Sequence, residues 1–326
     1  MSQPAYDPGP QIAHAAGVHL GTPNLQKSLW FFRDLLGMEV VAETGGSAYL
    51  RCYQELTHHS LILTQQTEAS VLGYGFRVKR PQDVELFAQQ FERQGIKTVE
   101  IGKDQVVGRG EAVRFLVPGS EHPFELYYDI DKPIAPEEIR SKNPSNSSRR
   151  RGLGVRRLDH INLQTGESTV EEAELWLREA LGFRRREVLK TPDLLIASWL
   201  SVTPQVHDVA IGRGAEDRTG QFHHLALNVE NFHDVLTAAD QMRDLDIEWG
   251  AGPGKHGIGQ AMYLYVHDPG SGHRIELYSG GYLIFDPDWQ PLEWSPRQEW
   301  GGTWYGHTLD TGPGGSFLTT TPSNGL

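Results

Sequence analysis

Cysteine is nearly absent: of 326 residues, only Cys52 carries a thiol. A single thiol excludes an intramolecular disulfide, and a fold that needs none suits a reducing cytoplasm. Positive charge is scarce as well. The chain has 30 Lys and Arg against 42 Asp and Glu, a formal net charge of -12. That balance argues against non-specific binding to nucleic acid. The one dense basic run, Arg149-Arg150-Arg151, sits in a Pro- and Ser-rich stretch and reads as a solvated linker face. No apolar run approaches the roughly 20 residues that cross a bilayer, so no membrane partner is expected. The start, MSQPAYDPGPQ, lacks the basic and apolar regions of a signal peptide.

What the chain does have is repetition. Residues 18–41 and 159–188 both run strand, polar loop, amphipathic helix, Leu-Gly, strand. Leu29, Phe32, Leu35 and Leu36 recur at helical spacing in the first; Ala173, Trp176, Leu177 and Leu181 do so in the second. Gly37 and Gly182 stand where a helix ends in a left-handed residue. His59-Ser60-Leu61 parallels His207-Asp208-Val209, second helices follow at 81–94 and 231–243, and Glu125 parallels Glu276. A period near ~150 residues is a domain duplication, not a solenoid. The expected fold is α+β: two tandem domains, each with its own core and each built of two βαβββ modules forming an incomplete barrel. The connecting residues are rich in Pro, Ser, Asn and charge, which resists burial. Residues 312–326 are Gly-, Thr- and Ser-rich, with a mobile end expected.

The stretch 254–278, GKHGIGQAMYLYVHDPGSGHRIELY, reads as a hairpin carrying two histidines, a tyrosine and a glutamate among apolar neighbours. Aligning the halves equates His160, His224 and Glu276 with His19, Gly73 and Glu125. A buried carboxylate needs a partner. Two imidazoles and one carboxylate form the facial triad of a non-haem Fe(II) site. From spacing alone, the three are either such a triad or three unrelated strand residues. With Gly73 in place of the middle histidine, the first half is expected to hold no metal.

The strings Arg157-Leu-Asp-His160-Ile-Asn162, Val206-His207-Asp208, His223-His224-Leu225-Ala226, Gly252-Pro-Gly-Lys-His256-Gly257, Ala261-Met-Tyr-Leu-Tyr265 and His273-Arg-Ile-Glu276-Leu-Tyr278 carry a family likeness. Through them the chain resembles the type I extradiol ring-cleavage dioxygenases of the vicinal oxygen chelate superfamily, which include catechol and homoprotocatechuate 2,3-dioxygenases. The resemblance implies His160, His224 and Glu276 as ligands of Fe(II), with Mn(II) equally suited by ligand type. It implies His207 as acid–base catalyst and His256 with Tyr265 as the pair contacting substrate and dioxygen-derived oxygens. Asn162, Trp199, His223 and Arg297 match substrate-pocket positions. Trp289, Trp294, Trp300, Trp304 and Tyr305 resemble a segment that covers the site, or pack against the second domain.

The resemblance also implies a catechol-type substrate, dioxygen as co-substrate and a homotetramer. It divides the chain into a metal-free domain (1–135), a linker (136–155), a catalytic metal-binding domain (156–282) and a lid with tail (283–326). Homoprotocatechuate enzymes grip a substrate carboxylate with arginine, and one such position is Ala251 here. Losing one charge-assisted contact costs roughly 1.5–3 kcal/mol, so an uncharged catechol, alkyl- or chloro-substituted, is favoured over 3,4-dihydroxyphenylacetate. A glyoxalase-like isomerase and a metal-free binding protein are the other readings this fold allows.

Overall fold

A computed structural model describes residues 9–307 and 320–325, apart from 136, 139, 215 and 216. The first half comprises β1 (Ile12–Thr22), α1 (Leu25–Leu29), β2 (Glu39–Thr44), β3 (Ser47–Arg51) and β4 (Leu61–Gln65), then β5 (Ser70–Val78), α2 (Asp83–Arg93), β6 (Thr98–Ile101), β7 (Ala112–Leu116) and β8 (Pro123–Tyr127). The second half repeats this plan. Its modules are β9 (Arg157–Thr165), α3 (Val170–Leu181), β10 (Arg184–Lys190), β11 (Leu195–Ser201) and β12 (Val209–Arg213), then β13 (Gln221–Asn228), α4 (Phe232–Asp244), β14 (Trp249–Lys255), β15 (Ala261–His267) and β16 (Arg274–Gly280). Short strands β17 (Leu292–Trp294), β18 (Tyr305–Gly306) and β19 (Thr321–Pro322) follow.

Local chemistry sets the helix ends. Asn231 and Asp234 form a reciprocal capping box at the start of α4. Acidic Glu171 and Glu172 open α3, Arg178 lies in its last turn, and Gly182 ends it at φ +76°. Ala173, Leu177 and Leu181 are the buried face of α3. The first helix departs from expectation: after Leu29 it widens into a π-helix over Trp30–Leu35. Leu36 N–H reaches back to Phe31 O, and Phe31 and Phe32 are both fully buried.

The strand order is β2-β3-β4-β1-β5-β8-β7-β6 in one sheet and β17-β10-β11-β12-β9-β13-β16-β15-β14-β18 in the other, with β19 added to β13. In each module the last strand returns parallel to the first, and the two first strands run antiparallel at the centre. This is the βαβββ duplication expected from the sequence.

Three expectations are corrected. The halves do not keep separate cores: one apolar cluster runs through both, with Trp176 of α3 packed 5.7 Å from Phe91 and 5.6 Å from Phe115. The stretch before β9 is not simply solvated. Leu153 and Val155 are buried, and Leu153 N–H and Gly154 N–H bond Leu35 O and Leu36 O at the end of the first helix. Arg149 pairs with Glu39 and Arg150 with Asp234, each at 2.6 Å, leaving Arg151 as the exposed member of the run. The tail is held over its described part. Residues 321–322 pair with β13, Asn324 N–H donates to Val71 O, and Ser323 Oγ lies 2.7 Å from the buried hydroxyl of Tyr74. Residues 312–319 and 326 of that expected mobile end lie outside the described residues.

Candidate metal centre

Strand register brings the triad together. His160 of β9 and Glu276 of β16 both pair with Ala226 of β13, one from each side. His224 lies two residues before Ala226, so it shares that face of the strand. The small Ala226 side chain sits between them. The result is a fully buried cluster: His160 Nε2 to His224 Nε2 is 3.1 Å, and Glu276 Oε2 lies 3.0 Å from the first and 3.1 Å from the second.

These atoms fit a metal ion. Bonds of about 2.1 Å at right angles put neighbouring ligand atoms about 3.0 Å apart, as on one face of an octahedron. The opposite ring nitrogens are already engaged: His160 Nδ1 with Asp159 Oδ1 at 3.0 Å, and His224 Nδ1 with His223 Nδ1 at 2.6 Å. The Nε2 lone pairs are thereby turned inward. Glu276 Oε2 is buried and, among the described residues, has no hydrogen-bond donor of adequate geometry. Three converging electron-pair donors, one of them an orphaned carboxylate oxygen, call for a cation.

Other polar residues surround the triad. The ring of His207 lies 3.9 Å from that of His160, and burial, with His160 beside it, holds its pKa well below the ordinary histidine value. His207 is therefore neutral near pH 7. His256 Nε2 reaches Tyr265 Oη and Glu276 Oε1, both at 3.2 Å, while its Nδ1 donates to Gly302 O at 2.5 Å. The Tyr265 hydroxyl is pushed well above its ordinary range by burial and by Glu276, so it stays protonated.

A cavity of about 120 Å³ opens on the triad, lined also by Asn162, Trp199, His207, His223, His256 and Tyr265. Nine of the ten sequence-derived site residues thus converge; Arg297 does not. It is exposed on the turn before Glu299 and does not line the cavity. Ala251 is fully buried against Tyr263 and Tyr265. The sequence reading missed Ile258, Tyr278, Gly301 and Gly302 as wall residues. Tyr278 was detectable in the Glu276-Leu-Tyr278 alternation, but the glycines carry no motif. In the stretch read as a cover, Gly301 and Gly302 line the cavity while Trp300 and Trp304 are exposed. A larger cleft of about 1030 Å³ in the first half contains none of the triad residues, so chemistry rather than size picks out the site.

The degenerate copy also needs correction. Glu125 pairs with Gly75 as Glu276 pairs with Ala226, and Gly75 pairs with Gly17 as Ala226 pairs with His160. Val18 N–H bonds Ser60 O as Ile161 N–H bonds Asp208 O. The counterpart of His160 is therefore Gly17, two residues from His19. A shift of two keeps the same strand face, which is why apolar alternation alone did not reveal it. In this half Arg109 and Arg114 supply the positive charge, 2.5 and 3.5 Å from Glu125, while His19 Nε2 meets Thr64 Oγ1 at 2.7 Å.

Comparison with known proteins adds the family. The Glyoxalase/Bleomycin resistance protein/Dioxygenase superfamily pattern matches residues 11–126 and 157–277. The chain belongs to that superfamily. It is 44% identical over 316 residues to a manganese-dependent 2,3-dihydroxybiphenyl 1,2-dioxygenase of Geobacillus genomosp. 3, covering 95% of this chain and 98% of the relative. It is 35% identical to a metapyrocatechase of Geobacillus stearothermophilus, over 99% of this chain and 97% of the relative. The homoprotocatechuate 2,3-dioxygenase of Brevibacterium fuscum, solved with 3,4-dihydroxyphenylacetate, superposes with a TM-score of 0.85 at 30% identity, covering 98% of this chain and 95% of that one. Within the superfamily this chain is an extradiol dioxygenase of the catechol 2,3-dioxygenase type, with a buried His-His-Glu site suited to iron or manganese.

Proposed function

We propose that this protein cleaves catechol, or a small uncharged alkyl- or chloro-substituted catechol, beside the diol. Both atoms of O2 enter the product, a 2-hydroxymuconic semialdehyde. The observation that carries this reading is the cavity itself. It meets the triad, is lined by no Lys or Arg among the described residues, and at about 120 Å³ suits a single ring. For scale, a cavity of about 150 Å³ accepts benzene.

His160, His224 and Glu276 would hold the metal. When bound, the metal supplies a Lewis-acid centre that holds the two vicinal oxygens and couples the ring electronically to dioxygen. The chain's own residues do the rest. Neutral His207 takes a proton from a catechol hydroxyl and later returns it to product oxygen. Tyr265 presents its hydroxyl to substrate oxygen, and His256, whose Nδ1–H is held by Gly302 O, positions that hydroxyl through Nε2. Trp199, Ile258 and Tyr278 wall the ring and exclude water. Ligand type suits both metals; the 44% identical relative is named manganese-dependent, so Mn(II) is the first to load.

A larger substrate has one observation in its favour, since that same relative is named for 2,3-dihydroxybiphenyl. The discriminating experiment measures kcat/KM for catechol, 3,4-dihydroxyphenylacetate and 2,3-dihydroxybiphenyl. Catechol should lead. A preference above tenfold for the acid or the biaryl would defeat the assignment. The reading includes a homo-oligomer, checked by light scattering, in the reducing compartment that unpaired, buried Cys52 suits.

A further inference from the structure

Glu187 of β10 is a carboxylate with no solvent exposure and, among the described residues, no salt bridge. All of its hydrogen-bond donors are neutral. Oε1 accepts the Gly259 N–H at 2.8 Å and the Tyr282 hydroxyl at 2.7 Å, and Oε2 accepts the Trp294 indole N–H at 2.6 Å. Burying a charge without a counter-ion is costly and is tolerated only where hydrogen bonds replace its hydration. Here those bonds come from three separate pieces of chain, and none of the three donor residues itself lines the cavity.

Gly259 follows His256 in the loop between β14 and β15. Tyr282 lies just beyond β16, the strand of Glu276. Trp294 belongs to β17, and a side chain at Gly301 would press on its ring at 3.1 Å. The roof then returns to the same loop. Gly257 and Ile258 N–H groups donate to Gly301 O at 3.0 and 2.9 Å, and His256 Nδ1 donates to Gly302 O. The contacts form a closed circuit: Glu187 to Gly259, His256 to Gly302, Gly301 to Trp294, and back to Glu187. Across the β10–β11 pair, Glu187 faces Trp199, another wall residue.

We infer that Glu187 is a positioning residue that fixes the cavity roof and His256 as one unit, and so limits the size of the ring admitted. It is not among the residues that line the cavity. Its effect passes through Trp294 and the 256–259 loop. This inference rests on the reading of the cavity as a catechol site.

The test uses the full-length, Mn(II)-loaded protein and the variants Glu187→Gln and Trp294→Phe. The glutamine side chain offers one acceptor oxygen and turns an NH2 toward groups that are themselves donors. Trp294→Phe removes a single donor and keeps a smaller aromatic ring in place, so it remains informative should Glu187→Gln not fold. Both should bind Mn(II) as the wild type does, with KM for catechol raised about tenfold and kcat changed less. The kcat/KM ratio of catechol to 2,3-dihydroxybiphenyl should fall at least about fivefold as the roof loosens, which a mere loss of folded protein would not produce. Wild-type KM and an unchanged ratio in the folded variants overturn the inference alone. A wild-type protein that binds Mn(II) but opens neither catechol overturns the catechol reading, and this inference with it.

Discussion

Asp159 should control how tightly the metal is held. Its Oδ1 accepts His160 Nδ1–H at 3.0 Å and Gln205 Nε2 at 3.3 Å, and its Oδ2 accepts Arg157 and Asn228 at 3.0 and 3.1 Å. A carboxylate behind a ligating imidazole fixes its tautomer, aims the other nitrogen and raises its basicity. Asp159→Asn keeps the volume and loses the charge. One amide group then faces existing donors, so either His160 or the Arg157–Asn228 pair loses an acceptor. Removing such a partner lowers metal affinity by about 10–100-fold, or about 1.4–2.8 kcal/mol. Competition with a fluorescent chelator for Mn(II) measures this directly, and circular dichroism checks that the fold is intact. His224 is backed by an imidazole, that of His223, rather than a carboxylate, so His223→Asn should cost less than Asp159→Asn. A folded Asp159→Asn protein with Mn(II) affinity within twofold of wild type would refute the reasoning.

Further outcomes are expected elsewhere. His207→Phe should retain metal and lower kcat by about 10²–10⁴ in stopped-flow turnover, as for loss of a general acid–base group. Arg109→Met removes the nearer partner of the buried Glu125 carboxylate and leaves only Arg114, 3.5 Å from Oε1; it should cost up to about 3 kcal/mol in urea unfolding, with much of that recovered by adding Glu125→Gln. His122 is buried against Gln221 O, and burial pulls its pKa down to about 4 from 6.5. The unfolded state therefore binds the extra proton between those values. The stability from a neutral His122 is present above about pH 6.5 and lost as pH falls toward 4, about 2 kcal/mol between pH 7 and 5. His122→Asn should flatten that part of the pH dependence of unfolding.

The duplication was readable because helix-ending Gly37 and Gly182 and the apolar spacing around them recur in both halves. The triad was readable because its strings are local: His160, His224 and Glu276 each sit within a short motif. What escaped was non-local. Gly17 takes the place assigned to His19 because pairing with β4 and β5, not strand pattern, sets register. Trp176 joins the cores through packing between distant helices that periodicity describes only one at a time. Glu187 carries no motif in its basic strand, Arg184-Arg185-Arg186-Glu187, and its three donors come from far along the chain. Arg297 stands apart from the cavity for the opposite reason: it lies in a turn without fixed spacing to the motifs, so likeness to a family position did not determine where its side chain would go.

The central claim is that His160, His224 and Glu276 hold a divalent metal that opens catechol beside its diol. The most direct measurement loads the metal-free protein anaerobically with Mn(II) or Fe(II), adds catechol and ¹⁸O2, and identifies the product by mass spectrometry. The account predicts one metal per chain and a yellow semialdehyde carrying both labelled oxygens, with both lost in Glu276→Ala. A cis,cis-muconate product, or the same semialdehyde formed by Glu276→Ala at the wild-type rate, would contradict it.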